Sequence, residues 1–376
     1  MIYLPRDKRA SFLLLLLLTV LVLLGMLYFG VRLKGFRPGN NVHWSSSGAG
    51  LVFDRYAQAY TDGFFAPAGS VSSGGELTIE LAIRLELPRY SGFRFLVLVH
   101  DGEDRVQLVI GQWRSSLVIM NGEDYSNRKR DPKIYFDLNE KKDRPHLISI
   151  VSNNTGTRLY CDGALRKRNT ELLLRYPGKA AQARLVVGNS LSGNHPWTGT
   201  MLGLAFYDRG LDEAAVLRHY RIWRLKPDFE AFLQDGPRLL YAFDEGKGEI
   251  VRNQAGNGPD LNLPALMKVL QTKVLSWPRS DEVAGSAMVE DVMVNLAGFV
   301  PLGFLLMAIL SRLEFGSRRM GPFIATLLAC LFSLCIEIAQ VWIPTRDSSM
   351  LDLILNTLGG SAGVLLFQWR KKRVPS

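Results

Sequence analysis

Four long apolar runs dominate the chain: 12–33, "FLLLLLLTVLVLLGMLYFGVRL"; 294–313, "VNLAGFVPLGFLLMAILSRL"; 321–343, "GPFIATLLACLFSLCIEIAQVWI"; and 351–369, "LDLILNTLGGSAGVLLFQW". About 20 helical residues at 1.5 Å rise cover a hydrocarbon core of roughly 30 Å, so the pattern predicts four membrane-spanning helices. Between the first and second runs the period changes. From 45 to 225 there are short β-rich stretches, among them "LTIELAIRLEL" (77–87), "FRFLVLV", "VQLVIG", "SSLVIM", "HLISIVS" and "TRLYC". Such runs with turn pairs between them predict an antiparallel sandwich or jelly roll. Asp101-Gly102, Asn121-Gly122 and Asp162-Gly163 are the expected hairpin turns, because type I′ geometry needs positive φ. A late stretch, 239–263, either adds a strand to the sheet or belongs to a connector.

Polar residues interrupt the C-terminal runs at helical spacing. Asp291, Asn295 and Gly298 recur at i, i+4 and i+7, as do Ser333, Glu337 and Gln340, and then Asp352, Asn356 and Gly359. Glu337 precedes Pro344 by seven residues, which puts it roughly 10 Å below the end of its helix. An unpaired carboxylate at that depth costs at least a few kcal/mol, so it must face protein or water. The expectation is a polar mouth made of Asp291, Asn295, Glu337, Gln340, Arg346, Asp352 and Asn356, in which Glu337, Arg346 and Asp352 form one charge-coupled cluster. Three roles are open to it: binding a lipid-linked or peptidoglycan-related molecule; catalysis, with Glu337 or Asp352 as general base and Arg346 holding an anionic head group; or structural cross-linking of helices that anchor a binding domain. Gly298 and the Gly359-x-x-x-Gly363 pair are expected to let helices approach closely, and Pro301 to bend its helix.

Charge sets the orientation. The net +10 comes with basic clusters at Arg6, Lys8 and Arg9, at Arg312, Arg318 and Arg319, and at 370–373, "RKKR". By the excess of Lys and Arg in cytoplasmic loops, both termini lie inside and 45–290 outside; Arg32, Lys34 and Arg37 argue the other way and are outnumbered. A cleavable signal peptide competes for the first run, which is long for one and lacks a small-x-small cleavage pattern. The basic excess is then a topology signal and not a nucleic-acid footprint. With 47% hydrophobic and 21% charged residues the composition agrees with a membrane protein. Cys161, Cys330 and Cys335 supply no disulfide framework.

Two resemblances follow from particular residues. "GGELTIELAIRL", "TRLYCDGALRKR" and "RLVVGNSLSGNHPWTGTMLGLAFYDRGLDEAAVLRHYR" together resemble the laminin G-like, concanavalin A-like jelly roll. That resemblance implies glycan binding on a sheet face or loop tip, sometimes with calcium, and no other cofactor. The candidate contacts are Trp113 and Tyr125 for stacking on sugar rings, and Arg128 and Arg130, in "SNRKRDPK" (126–133), for an anionic envelope polymer, as for "LRKRN" (165–169). Trp197 falls where the family has a core strand residue. No E-x-D-x-x-E stretch sits on a strand pattern, so the sandwich is expected to bind and not to cut.

"DVMVNLAGFVPLG" and "SLCIEIAQVWIPTRDSSMLDLILNTLGG" resemble the VanZ-like family pattern "D…N…G..PlG" and "S..iE..Q…p.R…D…NtlG". The family takes its name from a glycopeptide-antibiotic (teicoplanin) resistance protein, and the resemblance implies a location and a motif rather than a reaction. The chain departs from compact members by the inserted sandwich. The expected organisation is a cytoplasmic N-terminus (1–11), a first helix (12–34), a sandwich (45–225), a connector (226–290), a VanZ-like membrane block (291–369) and a cytoplasmic tail (370–376).

Overall fold

Alternation along "LTIELAIRL" puts Ile79, Leu81 and Ile83 on one face of a strand and Thr78, Glu80 and Ala82 on the other, and the computed structural model buries both faces. The structure describes residues 6–32, 39–46, 48–64, 75–86, 92–102, 108–122, 131–138, 144–177, 183–225, 229–256, 258–272, 274–277, 286–313, 320–344, 346 and 348–373, with backbone alone at 6–8, 230 and 286–291. The chain divides into two compact units, 36–271 and the pair of segments 1–35 and 272–376.

The first unit is a sandwich of two antiparallel sheets. In chain order its strands are β1 (Val42–Trp44), β2 (Leu51–Phe53), β3 (Ala59–Tyr60), β4 (Leu77–Leu85), β5 (Phe93–His100), β6 (Leu108–Trp113), β7 (Ser116–Asn121), β8 (Lys133–Asp137), β9 (His146–Asn153), β10 (Gly156–Cys161), β11 (Ala164–Asn169), β12 (Arg184–Val187) and β13 (Gly199–Tyr207). After these come β14 (Leu239–Tyr241), β15 (Ile250–Val251) and β16 (Leu261–Asn262). One sheet runs β1-β2-β13-β4-β9-β10-β11, with β14 also on β13; the other runs β15-β16-β3-β12-β5-β6-β7-β8. The late stretch thus adds β14 to the first sheet and β15 and β16 to the second.

Between the sheets lie Phe53, Ile79, Leu81, Ile110, Ile148, Leu159 and Trp197, all buried. Trp197 is a core residue, its Nε1 donating to Gln112 Oε1 at 2.8 Å. A second apolar layer covers the outer face of the β4–β9–β13 region, and a helix packs over it.

 It is α2 (Glu213–Leu225), α1 (Arg6–Val31) being the apolar helix that opens the chain. Asp212 caps α2, its Oδ1 accepting from Ala215 N at 2.7 Å, and the helix buries Ala215, Val216, His219 and Trp223 at amphipathic spacing.

Turn chemistry departs in part from expectation. Asp162 (φ 56°) and Gly163 (φ 74°) do form the tight β10–β11 turn. The other two pairs do not close two-residue hairpins: residues 101–107 join β5 to β6 and 122–132 join β7 to β8. Arg114-Ser115 makes the β6–β7 turn instead, with Arg114 at φ 56°.

The second unit holds α1, α3 (Ser286–Arg312), α4 (Met320–Gln340) and α5 (Met350–Arg373). All four are long and apolar enough to cross a membrane, over Arg9–Val31, Val292–Arg312, Met320–Gln340 and Met350–Arg373. Backbones of α3 and α5 approach closely. A Cβ at Gly303 would lie 1.9 Å from Gly360 O, at Gly359 2.1 Å from Leu296 O, and at Gly363 2.0 Å from Val300 O. Gly298, expected to serve the same purpose, has nothing within 4 Å of its Cβ position. Helix α3 continues through Pro301.

Candidate functional site

The polar stripe of α4 is buried: Ser333 fully, Glu337 to 2% exposure and Gln340 to 8%. Each side chain finds a neighbour at one end of the bundle. Asn356 Nδ2 donates to Ser333 Oγ at 2.9 Å, joining α5 to α4. Glu337 Oε2 accepts from Ser349 N at 2.8 Å, and Ser349 Oγ accepts from Asp352 N at 3.3 Å, so Ser349 is the cap of α5 and a carboxylate holds the cap. Gln340 Nε2 donates to Gly30 O at 2.9 Å.

Arg346 turns to α1. Its guanidinium donates to Arg32 O at 3.0 Å and Phe29 O at 3.3 Å, carbonyls that a helix leaves without intrahelical partners at its C-terminus. Arg346 and Asp352 both lie near enough to Glu337 to act on it electrostatically; Glu337 also takes a hydrogen bond from the Ser348 side chain, while the Arg346 guanidinium bonds to backbone carbonyls. The short segment 274–277 is drawn in as well: Ser276 N donates to Ser348 O at 2.9 Å and Met350 N to Ser276 O at 3.0 Å. Asn295 is half-buried, and the side chain of Asp291 lies outside the described residues. Among the described residues, Asn356 Oδ1 is buried without a hydrogen-bond partner.

In the sandwich, Trp113 is 38% exposed at the end of β6, while Tyr125, Arg128 and Arg130 lie outside the described residues. A groove of about 810 Å³ opens elsewhere, beside β3, β15 and β16. Lys268 Nζ donates to Tyr60 OH at 2.8 Å and Asn262 Nδ2 to Asp62 Oδ2 at 3.0 Å along it. Glu245 Oε1 accepts from Arg252 N at 2.7 Å, and Glu245 Oε2 is shielded from solvent without a partner. Neither sign of charge dominates the lining: Asp62, Glu245, Glu249 and Asp260 face Lys247, Arg252 and Lys268. Sequence reading noticed the stretch 239–263 but not this groove, because Tyr60 and Lys268 are 208 positions apart.

A buried ionic network beneath α2 also escaped the sequence. His219 Nδ1 lies 2.7 Å from Glu80 Oε2 and its Nε2 2.8 Å from Asp235 Oδ2. Ser149 Oγ donates to Glu80 Oε1 at 2.7 Å, Arg209 pairs with Asp235 at 2.7 Å and Arg218 at 2.5 Å, and His219 stacks on Phe232 at 4.2 Å. Burial disfavours the charged imidazole, but the two carboxylates outweigh it and hold the His219 pKa above its ordinary value. The available signal was a Glu inside an apolar strand and a His on the apolar face of an amphipathic helix.

Residues 246–371 match the VanZ/LLP1 family model, so this segment is a VanZ-like domain and, with the four helices, makes the chain a multi-pass membrane protein. The match begins inside the sandwich unit, which ends at 271. Among solved structures the chain is similar to a carbohydrate-binding candidate from Bacteroides ovatus ATCC 8483, with 14% identity, TM-score 0.38, and 59% of this chain and 61% of that one covered. It is also similar to the receptor binding domain of botulinum neurotoxin D, with 13% identity, TM-score 0.34 and coverage of 50% and 48%. A third is the Ruminococcus gnavus IT-sialidase CBM40 bound to alpha2,3 sialyllactose, with 9% identity, TM-score 0.32 and coverage of 44% and 100%. The chain spans 61% of the first of these structures. No curated protein matches the chain.

Proposed function

We propose that the chain is an envelope membrane protein that holds a hydroxyl-rich partner, a glycan, on an extracytoplasmic sandwich, while its membrane polar residues tie the outer helix ends together. The groove beside β3, β15 and β16 supports the first half. Sugar hydroxyls both donate and accept, and interleaved carboxylates and cations suit them better than they suit a polyanion. The orientation rests on the basic clusters, with Arg370–Arg373 in the last turn of α5.

The test is a glycan array probed with the full chain in nanodiscs. Asp62→Ala with Lys268→Ala should weaken any binding roughly tenfold or more, the equivalent of about 1.4 kcal/mol, whereas Trp113→Ala should leave it unchanged. Binding that survives the double change while Trp113→Ala abolishes it would move the site to the exposed end of β6.

A second reading is favoured by the unpartnered Asn356 Oδ1 beside Ser333: the polar end of the bundle accepts the head group of a lipid-linked or peptidoglycan-related molecule. Native mass spectrometry of the purified protein should then show a lipid that Glu337→Gln or Asn356→Ala loses. Glycopeptide resistance in cells carrying the chain is the corresponding phenotype, and identical lipid spectra for all three proteins exclude this reading.

A further inference from the structure

His146, Cys161 and Asp162 meet at one end of the sandwich: His146 opens β9, Cys161 closes β10, and Asp162 is the first residue of the tight turn that follows. We infer that these three side chains form a transition-metal site, selective for Zn²⁺ or a metal of similar preference.

The donor set is an imidazole nitrogen, a sulfur and a carboxylate oxygen, the three ligand types zinc takes most often. His146 Nδ1 lies 2.8 Å from Asp162 Oδ2 and 3.9 Å from Cys161 Sγ, and all three donor atoms are within 4.8 Å of one another. Bonds of about 2.0–2.3 Å in a tetrahedron need ligand separations of about 3.3–3.7 Å, so the observed spacings bracket the requirement and an adjustment of about 1 Å completes it. His146 and Cys161 are buried, on paired strands whose register holds them fixed.

The surroundings orient the ligands. Leu147 N donates to Asp162 Oδ1 at 3.3 Å, which leaves Oδ2 directed at His146. Arg144, 3.2 Å from the same Oδ2 and largely exposed, is the cation a metal ion displaces. Binding converts the Cys161 thiol to a metal thiolate and releases one proton to solvent. Three protein ligands leave a fourth position for water.

The experiment uses the full chain in detergent, stripped with chelator and carrying Cys330→Ala and Cys335→Ala so that Cys161 is the one remaining thiol. One equivalent of Co²⁺ should produce a thiolate-to-cobalt charge-transfer band, abolished by Cys161→Ser and displaced by Zn²⁺. Asp162→Asn should weaken Zn²⁺ binding roughly tenfold or more, and Arg144→Ala should strengthen it by removing the competing cation. Circular dichroism on every variant separates loss of the site from loss of the fold. A folded protein that gives no such band with Co²⁺, or a band that persists in Cys161→Ser, overturns the assignment.

Discussion

The sandwich and the helical bundle both bury ionisable residues, and they satisfy them in different ways. Beneath α2, side chain meets side chain: Glu80, His219, Asp235 and two arginines balance one another across 139 positions of sequence between Glu80 and His219. At the end of the bundle, side chains mainly meet backbone: Glu337 takes an amide of the α4–α5 connection, and Gln340 and Arg346 take carbonyls at the end of α1, while Asn356 on Ser333 and Ser348 on Glu337 are the side-chain pairs. The first arrangement is a set of mutual dependences, in which removing one charge strands another. The second is a set of separate ties, each replacing water at a helix end.

The largest expected effect follows from the first arrangement. Glu80→Ala leaves His219 and Asp235 without a member of their chain and should cost about 3–5 kcal/mol in unfolding of the sandwich, read by near-ultraviolet circular dichroism. A loss under about 1 kcal/mol would mean that the network is no more interdependent than the bundle.

Titration sharpens the contrast. His100 is buried with Nδ1 unpartnered; burial first, then Arg184, brings its pKa to about 4 against the opposing pull of Asp101. A folded value below the ordinary 6.5 means that its contribution is present above about pH 6.5 and is lost as pH falls towards 4, on the order of 3 kcal/mol. His219 has the opposite sign: its raised value gives stability that is present below about pH 6.5 and is lost as pH rises through the folded value. Melting temperature against pH should therefore lose its acid-side fall in His100→Gln and its alkaline-side fall in His219→Gln. Parallel curves for the two variants would contradict both signs.

Within the bundle, helix contact is a matter of backbone approach. Gly363→Ala should cost about 1–3 kcal/mol, because its Cβ meets Val300 O, while Gly298→Ala, which meets nothing, should be close to neutral. Equal losses at the two glycines would break the distinction.

Much of this was legible in the sequence, for physical reasons that also mark its limits. Period-2 alternation in "LTIELAIRL" gives both a strand and the faces it presents, and the apolar runs give spans, since each signal is local. The Gly359/Gly363 spacing points to close packing, but a stripe has no partner written in it, so Gly303 was missed and Gly298 was chosen in its place. Asp101-Gly102 and Asn121-Gly122 carry turn propensity without the register that would close a hairpin there. Helical spacing places Glu337, Asn356 and Asp352 on stripes at one end of their helices; it cannot say that the carbonyls closing α1 would claim Arg346, because that competition is settled by packing between segments 314 positions apart.

The smallest expected change is at a single tie: Gln340→Ala, which releases one carbonyl of α1, should lower bundle stability by about 1 kcal/mol.

The central claim, that the bundle's polar residues act as separate ties to backbone rather than as one charge-coupled site, is tested most directly by a double-mutant cycle of Glu337→Gln and Arg346→Ala on the full chain in nanodiscs, read by thermal unfolding of the helices. The two losses should add to within about 0.5 kcal/mol, since each side chain holds a different backbone group. A coupling above about 2 kcal/mol would show an ion pair at the heart of the bundle and contradict the account.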